Sequence, residues 1–148
     1  MLSQKCQYAL RAVFELAKHY GNGPMKIGNV ASVQAIPHRF LEVILNQLKQ
    51  AGFADSRRGS GGGYYLTRDP KSLTVGELIR FVDGPMAPVS CLEPGGSRDC
   101  RLHGDCVFMG LWQRAQDALS GVYDTTSFMD LVEQERAKNK EYVPQFDI

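Results

Sequence analysis

Residues 35–66, AIPHRFLEVILNQLKQAGFADSRRGSGGGYYL, change their periodicity halfway along. The first half carries Phe40, Leu41, Ile44, Leu45 and Leu48 at three- and four-residue steps, the spacing of one buried helix face. Pro37 stands where such a helix opens, a position that tolerates its missing N–H. Gly52 follows the last periodic residue, as a helix-closing glycine does. Beyond it, two short runs, 53–57 and 64–67, flank GSGGG. That pattern predicts a β-hairpin with a glycine tip and two arginines, Arg57 and Arg58, at the entry to the tip.

Upstream, residues 3–20 predict a helix, with Leu10, Val13, Phe14, Ala17 and Tyr20 on one face. GNGP at 21–24 is a turn, and 27–34 a short second helix. Helix, short helix, helix and hairpin in that order predict a winged helix-turn-helix, whose second motif helix enters a DNA major groove. Downstream, TVGE at 74–77 reads as a capping box opening a helix to about residue 82. From about residue 106, Val107, Leu111, Ala115, Ala118, Leu119 and Val122 line one face of a long helix, widened by Phe108 and Trp112. That face is too large to leave wet, which predicts a two-fold dimer joined through Leu111, Trp112, Ala115 and Leu119. Ser127 and Asp130 suggest a cap before a last helix over 128–138, and the tail at 139–148 reads as flexible.

The expected organisation is mainly α with one small β-hairpin. Residues 1–82 form the DNA-binding unit and 83–106 a cysteine-rich loop. Residues 107–138 supply the dimerisation and final helices. A net charge of +1 conceals an asymmetry: residues 1–82 hold eleven Lys and Arg against five Asp and Glu, and 83–148 hold six against eleven. A basic first half suits a polyanion partner. Hydrophobic content of 43% and charged content of 22% suit a soluble globular chain. The first twenty residues resemble neither a signal peptide nor a membrane span, so a cytoplasmic location and no membrane partner are expected. No nucleophile elbow or pair of catalytic acids stands out. GSGGG is followed by a strand, which argues against a phosphate-binding loop. A DNA-binding regulator is therefore expected, with no small-molecule substrate, ahead of an Fe–S electron-transfer protein or an enzyme.

Residues 90–106, SCLEPGGSRDCRLHGDC, gather three of the four cysteines. In a reducing compartment clustered thiols are more often metal ligands or redox groups than disulfides. Three thiolates suit an iron–sulfur cluster or zinc, and metal-free thiol sensing stays open. Arg98 and Arg101 favour the thiolate form. His103, between two cysteines, is the leading fourth donor, with Glu93, Asp99 and Asp105 as alternatives. Cys6, on the first helix, reads as a small buried hydrophobe.

The opening LSQKCQYALRA, Gln34, Phe40-Leu41-Glu42, Leu48, Gly52 and the wing run Arg58-Gly59-Ser60-Gly61-Gly62-Gly63-Tyr64 together resemble the Rrf2 family of bacterial transcription regulators. The likeness extends over nearly the whole chain. It implies a homodimer on a pseudo-palindromic double-stranded DNA operator, often acting as a repressor. It also implies an iron–sulfur cluster on Cys91, Cys100 and Cys106, as in the subgroup with three loop cysteines, with [2Fe–2S] favoured over [4Fe–4S]. Arg58 is expected in the minor groove, with Gly59 and Ser60 beside it in the wing. Arg57, Arg39 and His38 are expected on phosphate or base edges, Gln34 on phosphate or the turn backbone, and Phe40 against DNA sugar or the helix pair.

Three departures stand out. The family's recognition helix often starts Ile-Ser-x-Ser-Tyr, whereas this chain has Ile36-Pro37-His38-Arg39-Phe40. The family's cysteines are usually separated by five and five residues; here the spacing is eight and five. The family's other fourth ligands, a histidine three residues after the last cysteine or an acid on the first helix, are replaced by Met109 and Gln7.

Overall fold

A computed structural model describes residues 1–141. Six α-helices and one two-stranded antiparallel sheet make up its regular structure, with a single 3₁₀ turn. Helix α1 spans Gln4–Lys18, α2 Ile27–Gln34 and α3 His38–Gln50. Strands β1, Ala54–Arg57, and β2, Gly63–Leu66, pair with Ala54 opposite Leu66 and Arg57 opposite Gly63. Helix α4 spans Val75–Asp83, α5 Phe108–Asp124 and α6 Phe128–Glu141. The sequence order of a winged helix-turn-helix is thus observed. No helix among the described residues is long and apolar enough to cross a membrane.

Helix α1 lies at the centre, against α2, α3, α4, α6 and β2. Its buried residues are largely small: Cys6, Ala9, Ala12, Val13, Leu16 and Ala17. Small side chains let several elements approach one helix closely. The other elements supply the bulk, with Leu41, Leu45 and Leu48 from α3, Leu78 and Ile79 from α4, and Phe128 and Val132 from α6. The final helix therefore belongs to the core of the winged unit, although the sequence grouped it with the dimerisation helix. Phe40 also departs from expectation. It lies outside the buried stripe of α3 and is 45% exposed. Tyr20 falls beyond the end of α1 and is exposed as well. The 139–148 tail is helical through Glu141, and the rest of it lies outside the described residues.

The helix ends are capped by chemistry visible in the sequence. Ser3 caps α1, its Oγ accepting from the Cys6 N–H at 3.0 Å. Thr74 Oγ1 accepts from the Glu77 N–H at 3.2 Å. The return half of that capping box does not form, because the Glu77 carboxylate takes two hydrogen bonds from Arg68. At the head of α6 both halves form: the Asp130 N–H donates to Ser127 Oγ at 3.0 Å, and the Ser127 N–H donates to Asp130 Oδ2 at 2.8 Å.

Long-range polar ties fix the helices to one another. The Ser3 N–H and hydroxyl both donate to the carboxylate of Asp83, at the far end of α4. Burial works to raise the Asp83 pKa, but the bonds from Ser3 outweigh it and hold the carboxyl below its usual range. Arg80 on α4 grips Asp124 at the end of α5 with two bonds of 2.6 and 2.7 Å. Gly76 makes room for this clasp, since a Cβ there would run into the Asp124 carboxylate.

The wing glycines answer to backbone geometry. Met25 and Tyr64 exchange backbone hydrogen bonds of 2.8 Å, which pins the base of the wing to the segment before α2. Gly63 has φ +147°, and a Cβ on it would strike the Met25 carbonyl. We expect Gly63→Ala to lower the unfolding free energy by about 2 kcal/mol in urea denaturation. Gly61→Ala, with nothing within 4 Å of a new Cβ, should be close to neutral. Equal stability of the two variants would remove the steric account of this motif.

Candidate nucleic-acid interface

The turn between α2 and α3 sets how the second motif helix leaves the domain. Ala35, in that turn, takes a left-handed conformation at φ 50°, uncommon for a residue with a Cβ. Next to it, the Gln34 amide donates to Glu15 Oε1 at 2.5 Å. Glu15 is only 4% exposed, and Lys18 Nζ closes on the same oxygen at 2.7 Å. Lys18 also reaches Glu135 on α6 at 3.1 Å. Burial opposes the charged lysine, yet the bonds to Glu15 and Glu135 raise its pKa. Gln34, expected on phosphate or the turn backbone, has its amide nitrogen bonded to Glu15, which ties the end of α2 to α1. A charged residue among the alanines of α1 was the signal for this network, because a buried carboxylate demands partners.

His38, Arg39 and Phe40 open α3, and all three are exposed. The Arg39 guanidinium lies over the Phe40 ring, 4.8 Å from its centroid. Phe40 in turn stacks on Tyr8 of α1 at 6.4 Å with an interplanar angle of 28°. Tyr8 went unnoticed in the sequence because no local pattern connects it to residue 40. In the wing, Arg57, Arg58, Gly59 and Ser60 are exposed. Arg57 packs over Tyr65 at 5.4 Å. Tyr64, the neighbouring aromatic, packs against the core. Among the described residues, none of Arg39, Arg57 and Arg58 enters an ion pair with a carboxylate. Uncommitted guanidinium groups on a helix-turn-helix and its wing are equipped to meet phosphates and base edges.

The cysteine loop is built from short turns. Cys91 lies on the 3₁₀ turn Ser90–Leu92 and is half-buried. Cys100 is exposed, and Cys106 is half-buried just before α5. All are free thiols. Local backbone bonds shape the segment, including His103 N–H to the Cys100 carbonyl at 3.0 Å and Asp105 N–H to the Leu102 carbonyl at 2.9 Å. His103 is exposed. Among the described residues no three His, Cys, Asp or Glu side chains are gathered in a metal-holding group. The loop thus supplies the thiol donors without converging them.

Cys6 is different in kind. It is fully buried, and its pKa is pushed up to about 11 by burial first, then by the charge and hydrogen bond of Asp83. Helix α5 has the opposite character. None of its residues is buried, and Phe108, Leu111, Leu119 and Val122, with Val107 just before the helix, are each about half or more exposed. Phe108 and Trp112 stack at 5.5 Å, and Ala115 and Leu119 line a groove shared with Leu2, Ile79 and Met86.

Comparison with known proteins matches residues 2–134 to the Rrf2 family, described as an iron-dependent transcriptional regulator. The HTH-type transcriptional regulator CymR of Bacillus subtilis is 32% identical over 142 residues, 96% of this chain and 96% of the relative. The HTH-type transcriptional regulator IscR of Escherichia coli is 32% identical over 131 residues, 88% of this chain and 79% of the relative. The solved structure of B. subtilis CymR, described as that organism's global cysteine regulator, has a TM-score of 0.77 at 33% identity. It covers 90% of this chain and 97% of that one.

The contrast between Cys6 and the loop thiols is directly measurable. In metal-free protein a chromogenic thiol reagent should titrate three cysteines under native conditions and the fourth only after denaturation. Four native thiols would place Cys6 outside the core.

Proposed function

We propose that this chain, which belongs to the Rrf2 family of transcriptional regulators, is a cytoplasmic repressor. It binds a pseudo-palindromic operator as a homodimer and is controlled through its cysteine loop. The observation that carries this reading is the pairing of two surfaces. One is the set of uncommitted arginines on α3 and the wing. The other is the bare apolar face of α5, with Leu111 54% exposed and Val122 61% exposed. The first suits duplex DNA, and the second suits a copy of itself related by a two-fold axis, which a two-half-site operator mirrors. Wing entry to the minor groove falls to Arg58, with Gly59 and Ser60 beside it, while His38, Arg39 and Arg57 take phosphates or base edges.

The loop thiols fit a soft metal centre by donor chemistry. Cys91, Cys100 and Cys106 would hold a [2Fe–2S] cluster, with His103 as the leading candidate for a fourth ligand. When bound, such a cluster supplies an oxidant-sensitive, one-electron centre. The connection to DNA binding runs through the chain's own ties. The loop leaves from Asp83, which holds Ser3 at the head of α1. It returns at α5, whose far end Asp124 is clasped to α4 by Arg80. A change in loop conformation pulls on both ends. In a dimer joined through α5 it alters the spacing of the two α3 helices. A second reading, metal-free thiol control, is favoured by the exposure of Cys100 and by the separation of the loop donors.

Leu111→Glu should convert the dimer to a monomer in size-exclusion chromatography with light scattering, and operator affinity should fall at least about 10-fold. A fully dimeric, fully active variant would move the interface away from α5. Iron and sulfide analysis after anaerobic purification decides between the two controls. The cluster reading expects coloured protein that loses its absorption when Cys91, Cys100 or Cys106 becomes alanine. Colourless protein without iron, whose operator affinity still responds to thiol oxidation, establishes the second reading.

A further inference from the structure

The three exposed residues at the head of α3 differ in how freely they can move. His38 has no stacking partner among the described residues. The Arg39 guanidinium sits over Phe40, and Phe40 stacks on Tyr8, which is half-buried on α1. The stack therefore runs from the central helix of the core out to a guanidinium at the surface. This explains why Phe40 stays outside the buried stripe: its ring rests between Tyr8 and Arg39 instead of entering the core between α1 and α3.

Stacking has a chemical consequence. A cation–π contact engages the charge of the guanidinium and leaves most of its five N–H donors for other partners. Arg39 has no carboxylate competing for those donors among the described residues. Glu42, one turn further along α3, makes no ion pair with it. A freely rotating arginine serves any phosphate within reach. One held against a ring loses less conformational entropy on docking and presents its fork in fewer directions. The base edge that matches a rigid double donor is guanine, through O6 and N7.

Resting on the DNA-binding reading above, we infer that Arg39 reads one guanine in the major groove of each half-site. Phe40 and Tyr8 act as positioning residues that hold its guanidinium for that contact. This assigns Arg39 to a base edge, where the reading above left phosphate and base edge both open. The wing arginine Arg58, unstacked, supplies affinity; Arg39 supplies the base choice.

The full-length dimer is used to select duplexes from a randomised pool, and the recovered sequences are aligned on their two-fold axis. The wild-type protein should recover one guanine at a symmetric position in both half-sites. Replacing that guanine with 7-deazaguanine should weaken binding about 10-fold by loss of the N7 acceptor. Arg39→Gln should abolish the preference at that position alone. Phe40→Leu and Tyr8→Leu, checked for folding by circular dichroism, should blunt the same preference while leaving the salt dependence unchanged, since no charge is lost. If Arg39→Gln weakens all sequences equally and lowers the salt slope, Arg39 is a phosphate contact and the inference fails. If Phe40→Leu and Tyr8→Leu leave discrimination intact, the stack has no positioning role and that half of the inference fails. If the wild-type dimer recovers no sequence and binds no duplex, the DNA-binding reading falls along with it.

Discussion

Helix α1 must accept α2, α3, α4, α6 and β2 at once, and only a helix with a narrow waist can do so. Ala9, Ala12 and Ala17, with Cys6 between the same neighbours, provide it. The larger buried residues, among them Leu41, Leu45, Leu78 and Phe128, come from the elements around it. Truncating a fully buried residue such as Phe128 would cost about 3–5 kcal/mol, because close-packed interiors relax only in part. The exposed head of α3 depends on this arrangement. Both the Gln34 side of the turn and the Tyr8 base of the aromatic stack are held by α1.

The polar contacts around that core serve position more than net stability. Glu15 would be an expensive burial without Gln34 and Lys18. With them it links the motif turn to α1 and, through Lys18 and Glu135, to α6. The Ser3–Asp83 tie repeats this pattern where the cysteine loop begins, and the Arg80–Asp124 tie repeats it at the far end of α5. Helix α5 stands apart. It has no buried residue, and its firmest described tie is at its last residue, Asp124. A helix fixed at one end and apolar along its side is suited to bind a second copy while staying responsive to the loop at its other end.

Local chemistry made much of the fold legible. The short α2 is observed at 27–34 as expected, and the hairpin strands agree with their expected runs to within one residue at each end. Gly52 takes φ 85° after α3, and Gly59, Gly62 and Gly63 of the wing occupy positions where a side chain has no room or φ is positive. Gly and Pro announce such sites because their restrictions act within a residue or two. The arginines expected at the wing and on α3 are exposed for reasons as local: Arg39 lies off the buried stripe of its helix, and Arg57 and Arg58 stand where the hairpin turns.

What local spacing did not determine is where distant side chains meet. Glu15 and Gln34 are 19 residues apart, Arg80 and Asp124 are 44 apart, and Ser3 and Asp83 are 80 apart. Nothing in their immediate sequence links them. Phe40 shows the same limit on one helix. Its spacing fits the apolar stripe, but the position of Tyr8 decides that it stacks outward. The cysteines show it in a loop, where the sequence places three thiols within sixteen residues and the fold sets how far apart they lie. The sequence by itself determined element type, order and the residues able to bind DNA or metal, because these follow from periodicity, backbone freedom and donor chemistry. Only the tertiary structure decided which of those residues are held, paired or left free, because that depends on contacts between segments that the chain brings together only when the core closes around α1.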